Sequence, residues 1–525
     1  MKRRDFFKGT IPTSVVLSNI LNGFSIKAFA EDSPLVQSLM MPSTDNDHVL
    51  VLIQLNGGND GLNTVIPIEY HGNYTNARSN IAIAENKALS IPGTNKIALH
   101  PSMRGMQELF KEGKAAVVQS VGYPAPSFSH FRATDIWMSA SDSTQVVNSG
   151  WTGRYLNNEY PNFPNGYPNT SMPHPLAIQI GSVTSLTLQG PAVSMGMSIS
   201  NPTNFYNLVN GIQDPAPNTP AGKELTFVRQ VAQQTQQYAS VIKDAAARVT
   251  TQSTYPTGNT LGDQLKIVAR LIKGGLKTRV YMVTMGGFDT HAVQANSTDT
   301  TTGAHATLLQ RVSDAVKAFQ DDLKFLDVED RVMGMTFSEF GRRIKSNSSG
   351  GTDHGAAAPL FVFGKQVISG VVGNTPVVSS SVNVNDNLPF QYDFRSIYAT
   401  LLENWLCVSN TDLQNIMLKN FQTLPLVNAG ACKTVQPNNS GNSLITNYPN
   451  PFQQKTTISF TSGGGHTLIQ VIDAMGRVIK TLADADYTPG TYTVNFDSGA
   501  LPPGVYYARL QNLSTQQVRT MLKVR

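Results

Sequence analysis

The chain has 525 residues, more than one hydrophobic core usually supports, so more than one domain is expected. A hydrophobic content of 40% with a charged content of 14% excludes an intrinsically disordered chain. Residues 1–30 alone contribute five basic residues and one acidic residue to the formal net charge of +5. The remainder is therefore nearly neutral, and a role in nucleic-acid binding is not expected.

Residues 1–30 have the three regions of a secretion signal. A basic start containing Arg3 and Arg4 precedes an apolar stretch, and small residues up to Ala30 provide a peptidase site. The paired arginines followed by Phe-Phe-Lys resemble a twin-arginine signal, whose pathway exports folded proteins. An ordinary Sec signal is the alternative. Because Pro12 and several polar residues interrupt the apolar stretch, no stable transmembrane anchor is expected.

Residues 31–432 are predicted to form one α/β domain. Six apolar runs are continuous rather than alternating, which is typical of strands buried on both faces. These runs are His48–Leu55, Ala115–Val121, Leu176–Ile180, Arg279–Met285, Arg331–Phe337 and Leu360–Phe363. Helices are predicted over residues 222–250, 261–274, 304–327 and 394–406. Alternation of strands and helices predicts a mainly parallel sheet flanked by helices.

Polar, glycine-containing loops adjoin four of the predicted strands. Ligands of open α/β sheets bind beyond the carboxyl ends of the strands, so these loops are expected to form the site. Each loop combines glycine with Asp, Glu or His. The loops are residues 56–63, 286–291, 338–343 and 351–355.

The same loops supply candidate metal ligands. Asp289 and His291 are two residues apart in a turn that follows glycine, so both can face one ion. His354 would add a second imidazole, and Asp60 would close the site from the first strand. A carboxylate with imidazoles suits a divalent ion such as zinc, manganese or iron(II) better than calcium. A hydrogen-bond network between loops is the alternative.

A candidate nucleophile lies in residues 126–132. Ser129 is predicted to stand near the amino end of a helix, where backbone N–H groups favour an anion such as a phosphoryl group. His130 and Arg132 would support the charge of the substrate. The alternative is that Ser127 or Ser129 only caps the helix.

The chain contains two cysteines, Cys407 and Cys432. A disulfide between them would close a loop of roughly 25 residues and add about 3 kcal/mol to the free energy of unfolding. Two unpaired thiols are the alternative. Because the chain has no further cysteine, a structural zinc site is not expected.

The C-terminal part is predicted to be a separate module. Residues 433–444 form a polar linker, and residues 445–525 contain short alternating runs separated by turn sequences. Runs of this kind predict a small all-β sandwich. The runs are Thr456–Phe460, Thr467–Ile472, Val478–Leu482, Thr491–Phe496, Val505–Leu510 and Val518–Val524.

Four motifs in this module occur in a specific order. They are Asn447–Phe452, Thr457–Phe460, Asp473–Arg477 and Leu501–Tyr506. The module therefore resembles the type IX secretion sorting domain of Bacteroidetes. The resemblance implies that the type IX machinery binds residues 445–525 and carries the protein from the periplasm to the cell surface or the medium. A carbohydrate-binding or adhesive sandwich is the alternative.

A second resemblance runs from the twin-arginine start to about residue 410. Its motifs are Gly57–Leu62, Leu99–Pro101, Ser129–Phe131, Gly286–His291, Thr336–Arg342, Gly351–Gly355 and Asp393–Arg395. The chain resembles the domain-of-unknown-function 1501 family, within the alkaline-phosphatase and sulfatase-like superfamily. The superfamily has an Asp-His pair where this chain has Glu339-Phe340, and phenylalanine cannot bind a metal. One metal, or a site completed by His305 or Asp353, is then expected. The sulfatase signature around residues 126–132 is absent, which opposes a formylglycine sulfatase.

Together the resemblance and the loops predict a secreted, metal-dependent hydrolase of phosphate or sulfate esters, with a small ester or glycan as substrate. The ion would polarise the ester oxygen and activate Ser129 or a water molecule, while Arg132 and Arg342 would neutralise charge in the transition state. The alternative is a non-catalytic cell-surface binding protein with a degenerate metal site. The predicted ligands of the ion, for which zinc or manganese is favoured, are Asp60, Asp289, His291, Glu339 and His354.

Overall fold

The computed structural model describes residues 20–21, 24–25, 46–200, 238–432 and 443–524, except 463–464, 474–476, 489 and 513–515. Most of the predicted secretion signal, most of the linker and the first part of the helix predicted at residues 222–250 lie outside the described residues. Two compact units, Met1–Cys432 and Lys433–Arg525, divide the chain.

A nine-stranded sheet forms the centre of the first unit. Its strands are β1 (Val49–Leu55), β2 (Ala115–Gly122), β3 (Ala177–Ile180), β4 (Gly196–Ile199), β5 (Val280–Met285), β6 (Val332–Phe337), β7 (Ala358–Gly364), β8 (Gly370–Val372) and β9 (Tyr392–Asp393). The order is β8-β2-β7-β6-β1-β5-β3-β4, and β9 pairs with β2. Every pairing is parallel except those of β7. The predicted mainly parallel sheet is confirmed, and all six predicted strands belong to it.

Helices cover both faces of this sheet. The described helices of this unit are α1 (Gly61–Thr64), α2 (His71–Ala77), α3 (Arg104–Lys111), α4 (His130–Ser139), α5 (Trp151–Glu159), α6 (238–247), α7 (Thr260–Lys273), α8 (Ala304–Phe325), α9 (Phe394–Thr400) and α10 (Asn410–Met417). The apolar side chains of α1 and α2 belong to a smaller separate cluster, and the other helices pack on the sheet faces. Alternate residues of β1 enter two separate cores, with Val51 packing on the side of α7 and α8 and Leu52 on the side of α4 and α9. A strand buried on both faces must be apolar throughout, which explains its continuous hydrophobic run.

Strand direction brings the predicted loops to one edge of the sheet. The loops after β1, β5 and β6 all leave from carboxyl ends of parallel strands. Strand β7 is antiparallel to β6, so the loop that precedes it, residues 351–355, reaches the same edge. No helix lies between β6 and β7 in the described chain, and a parallel pair would need a long crossover. This explains the one reversed strand.

A disulfide joins Cys407 to Cys432 after the last strand of the sheet, as predicted. A smaller antiparallel sheet consists of Val65–Ile66, Leu89–Ser90 and Ala98–Leu99. None of the helices in the described residues combines the length and the apolar character needed to cross a membrane.

The second unit consists of two antiparallel sheets. Its strands are β10 (Ser443–Tyr448), β11 (Lys455–Ser462), β12 (Gly465–Asp473), β13 (Val478–Tyr487), β14 (Gly490–Asp497), β15 (Gly504–Asn512) and β16 (Gln516–Lys523). One sheet has the order β10-β11-β14 and the other β13-β12-β15-β16. Ile458 of the first sheet and Ile469 of the second belong to one buried cluster, so the sheets pack as the predicted sandwich.

Candidate functional site

Asp289, in the loop after β5, is fixed by a buried arginine from the loop after β6. Arg342 Nη2 donates to Asp289 Oδ1 at 2.6 Å and to the Gly57 carbonyl at 2.5 Å, and Nη1 donates to the Thr352 carbonyl at 2.7 Å. A Cβ atom at Gly57 would lie 2.4 Å from the Asp289 backbone nitrogen, so this approach of two loops requires glycine. One guanidinium therefore holds three loops around one carboxylate.

The environment of Asp289 keeps it ionised. Burial acts to raise its pKa, but the hydrogen bond and charge of Arg342, together with His291 and His130, outweigh burial and lower the pKa below its usual value. Its side chain remains 47% exposed. Asp289 therefore presents a partly accessible carboxylate at the sheet edge.

His130, the first residue of α4, is oriented by a buried glutamate. Its Nδ1 lies 2.9 Å from Oε1 of Glu339, which also accepts a hydrogen bond from the Gly57 backbone N–H at 2.8 Å. The other ring nitrogen, Nε2, consequently faces Asp289, 3.5 Å from Oδ2. A carboxylate behind a histidine is the usual outer partner of a metal-binding imidazole.

His354 is oriented in a similar way by the backbone. Its Nδ1 lies 2.8 Å from the Phe128 carbonyl, and its Nε2 lies 3.3 Å from Asp289 Oδ1. Burial is the largest cause lowering the pKa of His354, and the charge of Arg342 lowers it further. The lowered pKa favours the neutral ring, which is the form that binds a metal.

These three residues form a compact donor group. One ligand atom each from His130, Asp289 and His354 lies within 4.8 Å of the others. His291 adjoins the group, with its Nδ1 2.8 Å from Asp289 Oδ1. Imidazole nitrogens with one carboxylate suit zinc and manganese, and the outward nitrogens of two histidines already have partners. The group therefore fits a divalent ion chemically.

A second group in the described residues contains His48, Cys407 and Cys432. Its two sulfur atoms are joined in the disulfide, so it offers no thiolate to a metal.

The structure does not bring Asp60 into this donor group. Both carboxylate oxygens of Asp60 accept hydrogen bonds from Arg78 Nη1, at 2.9 and 2.7 Å, and Oδ2 also accepts one from Gln294 at 2.5 Å. Gln294 Oε1 in turn accepts from the hydroxyls of Thr290 and Thr352. In this arrangement Asp60 ties the first loop to the loops that carry Asp289 and His354.

Glu339 and Phe340 lie beside the donor group rather than in it. Glu339 is 1% exposed and contacts the group through His130. The Phe340 ring lies 4.5 Å from the His354 ring and 4.9 Å from the His130 ring, measured between centroids. Phe340 therefore closes one side of the group with an apolar wall.

Ser129 immediately precedes α4 and is exposed, and its side chain makes no capping hydrogen bond to the helix. Ser127 Oγ instead accepts a hydrogen bond from the Ser129 backbone N–H at 3.3 Å. Arg132 Nη2 donates to the carbonyls of residues 142, 143 and 145, so its guanidinium binds a neighbouring loop. The nucleophile role of Ser129 stays a prediction.

A cavity of about 570 Å³ adjoins the donor group. His130, Phe131, Thr134 and Asp135 of α4 line it together with Asp289. A cavity of this volume accommodates a small-molecule substrate.

His130 lies in the donor group, whereas the sequence predicts that it supports the charge of the substrate. The sequence signal was the Ser-His-Phe motif after β2, but its pairing with Glu339 spans 209 positions. Because of this separation in the sequence, the orientation of the His130 ring could not be predicted from the sequence.

The fold and this edge define an α/β protein with a His/Asp donor group at the carboxyl ends of parallel strands. The chain belongs to the family described as protein of unknown function (DUF1501), which matches residues 47–410. Residues 446–524 match the secretion system C-terminal sorting domain. The resemblance to these two families is thus confirmed, and the protein carries a type IX sorting domain.

No curated protein matches the chain. Similar solved structures include Ps i-CgsB in complex with k-i-k-neocarrahexaose, at 11% identity and a TM-score of 0.33, covering 79% of this chain and 84% of that one. The PsFucS1 sulfatase from Pseudoalteromonas sp. has 11% identity and a TM-score of 0.31, covering 86% and 84%. Alkaline phosphatase from the Antarctic bacterium TAB5 has 12% identity and a TM-score of 0.27, covering 64% and 96%. These similarities are too low to assign an activity.

Proposed function

We propose that the protein is an exported, metal-dependent hydrolase of phosphate or sulfate esters, with its ion held by His130, Asp289 and His354. The observation that carries this proposal is the convergence of their ligand atoms within 4.8 Å. The outward ring nitrogens of both histidines are held by Glu339 and the Phe128 carbonyl, which turns their other ring nitrogens toward Asp289.

The residues around the donor group have separate roles in the proposed hydrolysis. A bound divalent ion supplies positive charge that polarises an ester oxygen and activates an attacking oxygen. Arg342 keeps Asp289 ionised and in place, and Phe340 excludes water from one side of the group. In this proposal the ester binds in the adjoining cavity, and water or the Ser129 hydroxyl attacks its phosphorus or sulfur atom. The bond from that atom to the ester oxygen breaks, and the alcohol leaves with the proton given up by the attacking oxygen. Where Ser129 attacks, water then cleaves the phosphoryl or sulfuryl group from the serine.

Metal analysis of the purified mature protein tests this proposal. We expect about one divalent ion per chain, and hydrolysis of at least one substrate in a panel of aryl phosphates, phosphodiesters and aryl sulfates. Chelation should abolish hydrolysis, and zinc or manganese should restore it. A Ser129→Ala variant separates a serine nucleophile from water, because hydrolysis is lost only if the Ser129 hydroxyl is the attacking group. A metal-free protein that cleaves none of these esters would refute the proposal.

One observation favours a second candidate function, a non-catalytic cell-surface binding protein. Arg342 Nη2 occupies Asp289 Oδ1 at 2.6 Å, so a cation of the protein itself already neutralises one oxygen of the donor group. The same experiment separates the candidates, because a binding protein would remain inert with every ester even after metal is added.

Export depends on the C-terminal unit in this proposal. Sorting domains act as addresses for the secretion machinery, so deleting residues 446–524 should leave the protein in the periplasm. Fractionation of cells followed by immunoblotting measures the distribution. A matched full-length protein with Lys455→Ala, which removes only an exposed ion pair with Asp497, should still be exported to the surface or medium. Unchanged delivery of the truncated protein would contradict the sorting role.

A further inference from the structure

Phe131 is an exposed aromatic residue at the mouth of the cavity. It is 87% exposed, whereas most of the large aromatic residues that the structure describes in this unit lie in its two cores. It stands in the first turn of α4, directly after His130, and it lines the cavity of about 570 Å³ together with Asp289. An aromatic face held out into water beside a candidate catalytic group needs a reason, because its burial would be favourable.

The lining of the cavity is mainly apolar, but it also contains polar side chains. Gln54 and Asn56 line it from the end of β1, and Thr134 and Asp135 line it from α4. An apolar leaving group would desolvate these polar side chains without giving them partners, which costs free energy. A ligand for this cavity should therefore present both a flat apolar face and hydroxyl groups.

The backbone connects Phe131 to the residues that hold the donor group. Phe131 follows His130, whose ring is held by Glu339, and the preceding Phe128 carbonyl holds His354. A ring stacked on Phe131 would therefore be placed at a fixed position relative to the donor group. The contact would then stabilise the ground state and the transition state equally, so it would contribute to KM rather than to kcat.

We propose that Phe131 is a stacking platform for a pyranose ring and that the substrate is a sugar phosphate or sugar sulfate. A pyranose has a C–H face for the phenyl ring and hydroxyls at its edge for Gln54, Asn56, Thr134 and Asp135. This inference rests on the proposed hydrolase function and adds the class of alcohol that the ester contains.

The test compares a closed ring with an open chain carrying the same ester. Glucose 6-phosphate and glucitol 6-phosphate are one probe pair, and the corresponding 6-sulfates are the other. The native protein should have a KM about threefold to tenfold lower for the ring, which corresponds to one aromatic stacking contact. Phe131→Ala should remove this preference by raising KM for the ring at unchanged kcat, and Phe131→Trp should retain it.

Phe325→Ala is the matched control, because Phe325 is 59% exposed at the last residue of α8 and is not among the cavity residues. It should behave as the native protein does. Equal KM values for ring and open chain in the native protein, or an unchanged preference in Phe131→Ala, would overturn the platform.

A binding measurement separates this inference from the hydrolase proposal. Saturation-transfer NMR with methyl α-glucopyranoside needs no cleavage and should show ring protons in contact with the native protein but not with Phe131→Ala. Ring contact without hydrolysis of any ester would refute the hydrolase and leave the platform standing. Hydrolysis without ring contact would refute the platform and leave the hydrolase standing.

Discussion

Asp289→Asn is expected to abolish metal binding and to lower kcat/KM for ester hydrolysis by at least about a hundredfold. The asparagine amide can still accept the hydrogen bond from Arg342, so the loops should keep their positions. It lacks the negative charge that balances a dication, which is what the ion requires from this residue. Metal content per chain and steady-state kinetics measure the two effects.

Asp353→Asn is the matched control for this variant. Asp353 is next to His354 in sequence, but its carboxylate accepts a hydrogen bond from Asn347 at 3.0 Å and lies near Arg343. Metal content and kcat/KM should therefore remain unchanged. Loss of metal in Asp353→Asn with retention in Asp289→Asn would show that a different ligand set operates.

The variant Glu339→Gln tests whether the orientation of the His130 ring affects metal affinity while the three donor residues themselves stay unchanged. All three donors remain in this variant, but the carboxylate that holds His130 Nδ1 is replaced by an amide. The metal affinity should fall about 10- to 100-fold, as for loss of an outer partner. Titration with a chromophoric chelator measures this affinity. A protein that keeps native affinity would contradict the positioning role of Glu339.

The sheet could be predicted because its strands obey a local rule. Val49–Leu55 and the other long strands are buried on both faces, and this burial requires continuous apolar runs that are visible in the sequence. The short strands Gly370–Val372 and Tyr392–Asp393 have too few residues to show such a pattern. The reversed direction of β7 also has no local signal, since it depends on the connection that precedes it.

The sequence predicts which loops form the candidate site, but not which partner each side chain in those loops contacts. The loops with Asp289 and His354 could be identified because glycine and ligand-type residues follow buried strands. The roles of Asp60, Glu339 and His130 depend on partners far away in sequence. A carboxylate beside the sheet edge can face an ion or an arginine, and only the fold decides which.

Arg78→Leu is expected to lower the free energy of unfolding by about 3–5 kcal/mol, because it leaves a buried carboxylate without its cation. Arg78 and Asp60 are both 0% exposed. Burial acts to raise the pKa of Asp60, but the charges of Arg78 and His305 and the hydrogen bonds from Arg78 and Gln294 together outweigh burial and hold the pKa below its usual value. Chemical denaturation followed by circular dichroism measures the loss.

Two variants separate the buried pair from an ordinary surface pair. Lys96→Met removes the exposed ion pair with Glu69 and should change the free energy of unfolding by less than about 1 kcal/mol. The double variant Asp60→Asn with Arg78→Leu should regain part of the lost stability, because no buried charge is then left unpaired.

Metal content of the same double variant decides the role of Asp60. If the carboxylate serves Arg78 and Gln294, as its hydrogen bonds indicate, the folded double variant should still bind metal through His130, Asp289 and His354. If Asp60 were itself a ligand, the folded variant would lose the ion although its stability had partly recovered. Recovered stability with bound metal therefore indicates a structural carboxylate, whereas recovered stability with loss of metal indicates a ligand. The two roles can be distinguished in this way even though both substitutions disturb the same loop.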